Sequence, residues 1–169
     1  MSLEKHRSDG SAALRFAVIT ISDTRDASTD RGGPFLVEGL VKAGHSVSYR
    51  GLCRDESVEI RQHVTSAVAR ADVDLVLTTG GTGIAPRDVT VPTLEALFEG
   101  TIPGFGELFR WLSFREIGSA TILSRACAGI VSGKVVIALP GSPKALALAL
   151  NEILLPEARH LVSQVRGAG

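Results

Sequence analysis

Leu14–Ser22 reads LRFAVITIS, apolar or β-branched at almost every position. A strand with one wet face would alternate instead. The pattern therefore demands cover on both faces, as in a parallel sheet between helical layers. Asp74–Thr79 repeats the pattern, His45–Leu52 gives a weaker version, and Ala126–Leu139 reads as strand, Ser-Gly turn, strand. Helical segments fall between them. Pro34 opens PFLVEGLVKAG, with apolar Phe35, Leu36, Leu40 and Ala43 and a stop at Gly44. Ser57 caps a helix through Arg70 whose apolar side holds Ile60, Val64, Ala67 and Val68. Thr90 caps a short helix through Phe98. Pro103–Gly118 is a helix rich in aromatics, with Phe105, Leu108, Phe109 and Leu112 as a core stripe and Trp111 and Phe114 off it. Ser142 and Pro143 cap and open KALALALNEILL, and Pro156 breaks or offsets the last helix. The alternation predicts one three-layer α/β/α domain with a mainly parallel sheet over residues 14–169, preceded by a loose polar tail over 1–13.

Other classes fall away quickly. Eighteen basic and eighteen acidic side chains cancel, which argues against nucleic acid or a membrane surface as partner. No apolar run approaches a bilayer span, and no signal-peptide core opens the chain, so the expected compartment is the cytoplasm. Cys53 and Cys127 are isolated among apolar neighbours, and the four histidines are scattered without ligand spacing, which speaks against zinc. No Gly-x-Ser-x-Gly elbow is present.

In an open parallel sheet, ligands bind beyond the carboxyl ends of the strands. Four unusual loops fall there: Ser22-Asp23, Arg54-Asp55, Gly80-Gly81-Thr82-Gly83 after Thr79, and Pro140-Gly141-Ser142-Pro143-Lys144. Glycines without Cβ let backbone N–H groups approach an anion. A helix opening at Ser142 favours phosphate at its N-terminus. Arg87 and Lys144 add positive charge. Asp55 and Asp88 make sense beside phosphates when Mg²⁺ lies between. Each feature alone has an ordinary explanation as a turn, a solvated lysine or a helix-flanking acid. The glycine loop is neither a P-loop nor a dinucleotide fingerprint. Together on one rim, the features predict a site for a phosphate-bearing ligand with Mg²⁺.

Several stretches carry a resemblance: ITISD at Ile19–Asp23, LTTGGTG at Leu77–Gly83, RDVT at Arg87–Thr90, PGFGELFRWLSFREIG at Pro103–Gly118, ILSRACAG at Ile122–Gly129 and ALPGSPKA at Ala138–Ala145. In combination they resemble the MoaB/Mog family of molybdenum cofactor biosynthesis proteins, with GELFRWLSFREIG similar to the MoaB branch. The resemblance implies a trimer or a dimer of trimers. It implies transfer of AMP from Mg-ATP to the terminal phosphate of molybdopterin, with passage of the product to a molybdenum-insertion enzyme. By the same resemblance Asp55 and Asp88 are the catalytic, metal-linked acids. Ser22, Asp23, Thr79, Gly80, Gly81, Thr82, Gly83, Arg87, Pro140, Gly141, Ser142 and Lys144 contact nucleotide or pterin. The residues leave two further readings open, a catalytically silent molybdopterin carrier and a trimeric structural module.

Overall fold

A computed structural model describes residues 13–167. The tail expected over 1–13 lies outside the described residues, apart from Ala13. The chain forms β1 (Arg15–Ile21), α1 (Gly32–Lys42), β2 (Ser46–Cys53), α2 (Ser57–Ala69), β3 (Leu75–Thr79), α3 (Thr90–Glu95), β4 (Gly100–Thr101), α4 (Pro103–Ile117), a 3-10 helix (Gly118–Leu123), β5 (Cys127–Val131), β6 (Lys134–Leu139), α5 (Pro143–Ala149), a π-helical turn (Leu150–Leu154) and α6 (Leu155–Val165). The sheet order is β2-β1-β3-β6-β5-β4. β2, β1, β3 and β6 run parallel, while β5 and β4 are antiparallel additions at one edge.

The continuous apolar runs are explained by two cores, one on each face of the sheet. Phe16, Val18, Leu75, Leu77, Val135, Ile137 and Leu139 face α1, α4, α5 and α6. Their neighbours Ala17, Ile19, Ile21, Val76, Val136 and Ala138 face α2 and α3. Successive strand residues point to opposite faces, so both parities must be apolar.

Local details depart from expectation where a tertiary partner competes for a polar group. Ser57 does not cap α2, because its Oγ accepts a hydrogen bond from Thr93 Oγ1 at 2.9 Å. Thr90 does not cap α3, because its hydroxyl donates to Asp55. Ser142 does cap α5, accepting from the Ala145 N–H at 3.3 Å. Pro156 sits in the first turn of α6, and the helix is offset there by the π turn that precedes it. In the aromatic helix α4, Phe105 and Phe109 are buried as expected, but Leu108 is exposed with Trp111 and Phe114.

At the amino ends of the strands, buried Asp74 accepts from the Arg15 backbone N–H at 2.8 Å, from Arg15 Nε and Nη2, and from Arg166 of the chain's last turn. Burial works against ionisation, yet these hydrogen bonds prevail and hold the Asp74 carboxyl down at about 2. A depressed carboxyl stabilises the fold above its unfolded value of 3.8 and loses that contribution as pH falls through about 2. Asp74→Asn should therefore lower unfolding free energy by about 1–2 kcal/mol at pH 7, the half-exposed arginines tempering the effect. Urea titrations should show the gap between the two proteins closing from pH 4 down toward pH 2. A gap independent of pH would assign Asp74 a packing role alone.

Candidate active site

The strand order reverses beside β1: the chain runs from β1 outward to β2, then crosses back to β3. Such a switch point leaves a crevice beyond the carboxyl ends of the two central strands. A cleft of about 600 Å³ lies there, lined by the ends of β1 and β3 and by the loops that follow β2 and β6. It brings together Ser22, Asp23, Asp55, Thr79, Gly80, Gly81, Thr82, Gly83, Arg87, Asp88, Pro140, Gly141 and Ser142.

The glycine loop is shaped by close approach. Gly80 has φ +108°, and a Cβ there would lie 2.1 Å from the carbonyl oxygen of Ile21 at the end of β1. Its N–H meanwhile donates to Leu139 O at 3.0 Å, so the loop leaves β3 clamped between β1 and β6. At Gly81 the space of a side chain is already taken by Thr90 Oγ1 and Asp55 Oδ2.

Asp55 is 5% exposed and is anchored through one oxygen. Its Oδ1 accepts from the Val89 N–H at 3.2 Å and from Thr90 Oγ1 at 3.0 Å. Its Oδ2 takes no hydrogen bond from the described residues. Burial pushes the Asp55 carboxyl up, the Thr90 and Val89 hydrogen bonds pull it down, and the charges of Asp88 and Asp23 push it up again. Asp88 accepts the Ala85 N–H on Oδ2 at 2.9 Å. Asp23 accepts from the Asp55 N–H at 3.1 Å and binds Arg87 through both oxygens, at 2.8 and 3.2 Å. The Arg87 hydrogen bond and the Asp55 N–H together hold the Asp23 carboxyl below its usual range.

Arg87 is accordingly engaged already. It pairs with Asp23 and with Glu56 at 2.7 Å, and both partners raise its pKa further. The lining carries four aspartates, Asp23, Asp30, Asp55 and Asp88, against two arginines, Arg25 and Arg87. Phosphate groups in such a cleft would need a cation beside them to offset its acids. Among the described residues no group of three or more His, Cys, Asp or Glu stands ready to hold a metal.

Lys144 is not among the residues that line the cleft. It lies outside the cleft, in a groove with Glu116, Ile117 and Leu148. Ser142 borders that groove as well, so Lys144 stands next to the rim rather than on it. Residues that sequence reasoning missed also line the cleft, among them Thr20, Asp30, Gly32, Leu123 and Ser124. Asp30 is buried and accepts from Thr20 Oγ1, the Gly33 N–H and Arg50 Nη2 at 2.9–3.1 Å, fixing the start of α1 at the cleft wall. An acid three residues before a helical N–H is a capping signal, and DRGG at Asp30–Gly33 carried it.

A family described as a probable molybdopterin binding domain matches residues 17–160. The chain belongs to the MoaB/Mog family of molybdenum cofactor biosynthesis proteins. Molybdenum cofactor biosynthesis protein B of Bacillus anthracis is 45% identical over 166 residues, which cover 98% of each chain. A crystal structure of a molybdenum cofactor biosynthesis protein B superposes with a TM-score of 0.89 at 44% identity, covering 92% of this chain and 98% of the other. The tungsten cofactor synthesizing protein MoaB of Pyrococcus furiosus gives 0.82 at 37% identity, covering 91% and 98%. These relatives bear out both the MoaB/Mog resemblance and the α/β fold. Within the family fold, no helix of the described residues is long and apolar enough to cross a membrane.

Proposed function

We propose that this MoaB/Mog protein binds molybdopterin and ATP in the switch-point cleft and transfers AMP to the terminal phosphate of the pterin. The observation that carries the reading is Asp55. It is buried against the glycine loop with one oxygen tied down and the other unbonded, in a cleft with Asp88 and an excess of acids. An oxygen of the pterin phosphate attacks the α-phosphorus of ATP. A new P–O–P bridge forms, the bond to the β-phosphate breaks, and pyrophosphate leaves. The attacking phosphate is already anionic, so no strong general base is required. The work is positioning and charge compensation. Backbone N–H groups of Gly81–Gly83 cradle phosphate oxygens, and the capped start of α5 at Ser142 borders the same space. Asp55 and Asp88 would hold Mg²⁺, which when bound neutralises charge on the departing pyrophosphate.

Pyrophosphate release from Mg-ATP, measured with and without molybdopterin, tests this. Pterin-dependent release supports the transferase. No release with molybdopterin still bound would assign the chain to a carrier role. The adenylylated product would pass to a molybdenum-insertion enzyme, and the two free thiols, Cys53 and Cys127, accord with a reducing, cytoplasmic setting.

The same reading includes a homo-oligomer, a trimer or a dimer of trimers. Trp111 and Phe114 are 58% and 57% exposed, and Leu108, Ile117, Ile122 and Leu123 are exposed beside them in chain order on α4 and the 3-10 helix. Apolar exposure on this scale accords with a covered face. The double variant Trp111→Glu, Phe114→Glu should run as a monomer in light scattering where the unaltered protein runs as a trimer or hexamer. An unaltered protein that is monomeric, or a variant that keeps its assembly, would remove this face as the interface.

A further inference from the structure

The loop that carries Asp88 is long and has few ties of its own. Asp88 makes a local bond to the Ala85 N–H, and Arg87 reaches outward to Asp23 and Glu56. One residue from a distant part of the chain grips both arms of the loop. Arg125, between the 3-10 helix and β5, donates its backbone N–H to Thr82 O at 3.2 Å and its Nη2 to Asp88 O at 2.7 Å. Its Nε is buried and has no hydrogen-bond partner. A guanidinium held with one donor unsatisfied gains nothing there from its own solvation. What its position does supply is a charge-assisted bond to the main chain at Asp88.

We propose that Arg125 is a positioning residue, fixing the Asp88 segment against the glycine loop so that the Asp88 carboxylate is presented to the cleft at a set depth. The kinetic part of this inference rests on the adenylyltransferase reading; the structural part does not. The backbone bond to Thr82 does not depend on the side chain, so methionine or lysine at this position removes or alters the hydrogen bond to Asp88 and leaves that one in place. Removing the guanidinium also removes the orphaned Nε, and global stability should therefore hold.

Arg125→Met and Arg125→Lys, each in the full chain, separate the possibilities. Amide exchange in Arg125→Met should accelerate about tenfold over residues 83–90 and stay unchanged in β1, β3 and β6. The melting temperature should stay within about 2 °C. Turnover should fall about 10- to 100-fold while KM for molybdopterin changes less than about twofold, since small misplacements of a reacting group cost rate before binding. Arg125→Lys should recover part of the rate. Unchanged exchange in the 83–90 segment would overturn the proposal whatever the activity. A joint fall in melting temperature, turnover and pterin affinity would overturn it too, leaving Arg125 a folding residue. Unaltered protein without turnover, but with a loop that loosens in Arg125→Met, would uphold the tether and defeat the transferase reading instead.

Discussion

Asp88→Ala should lower pterin-dependent pyrophosphate release about 100- to 1000-fold, the loss typical when one electrostatic partner of a transition state is removed. Molybdopterin affinity should change far less. Asp88 reaches the cleft from an otherwise exposed segment, and among the described residues its carboxylate takes one hydrogen bond, the local one from the Ala85 N–H. Truncation therefore frees one amide and leaves the glycine loop in place. Asp55 differs. It is buried and accepts from both Val89 and Thr90, so alanine there leaves two donors without their acceptor and disturbs the start of α3 along with the site. The pair of variants separates chemistry from architecture. Parallel measurements of release rate and of equilibrium pterin binding decide the matter. Equal losses of rate and affinity in Asp88→Ala would make Asp88 a binding or folding residue, and the proposed role of the acid would fall.

Gly80→Ala should be the most damaging single methyl group in the molecule for stability. Two penalties act together. The residue holds φ at +108°, a region that side chains rarely enter, and the added carbon would lie 2.1 Å from Ile21 O. That oxygen belongs to the end of central strand β1, so it cannot swing aside as a flexible side chain could. Relief requires β1 and β3 to part at their carboxyl ends, where Gly80 N–H is also bonded to Leu139 O. We expect a loss of about 3 kcal/mol or more, with a fall in melting temperature of about 6–12 °C. Thermal and urea unfolding would measure it. A loss below about 1 kcal/mol would show that the strand ends part readily, and the clamp inferred for the glycine loop would be wrong.

How much of this could be read from the residues depended on whether the cause was local. The central strands were legible because two-sided burial writes itself as a run of apolar or β-branched residues at successive positions, as in Phe16–Ile21 and Leu75–Thr79. The rim was legible because parallel topology sends every such strand's carboxyl end to one side. Ser142 was legible as a cap because its partner, Ala145, is three residues away. Ser57 and Thr90 were misread because their hydroxyls meet Thr93 and Asp55, 36 and 35 residues distant. Lys144 lies beside the cleft lining rather than in it, and residue type says nothing of the angle at which a helix presents a side chain. Arg87 was legible as positive charge at the rim, but its pairing with Asp23 and Glu56, 64 and 31 residues away, was not. Leu108 fits a core stripe by spacing, yet α4 turns that position outward, a rotation that spacing alone does not set.

The Asp74 cluster stands at the opposite end of β1 from the cleft. Seven residues of strand at about 3.3 Å each put roughly 20 Å between Arg15 and the rim. One end of the barrelless sheet thus acts as ballast and the other as workbench. Substitutions collected at the ballast end can raise or lower heat tolerance without retuning substrate choice.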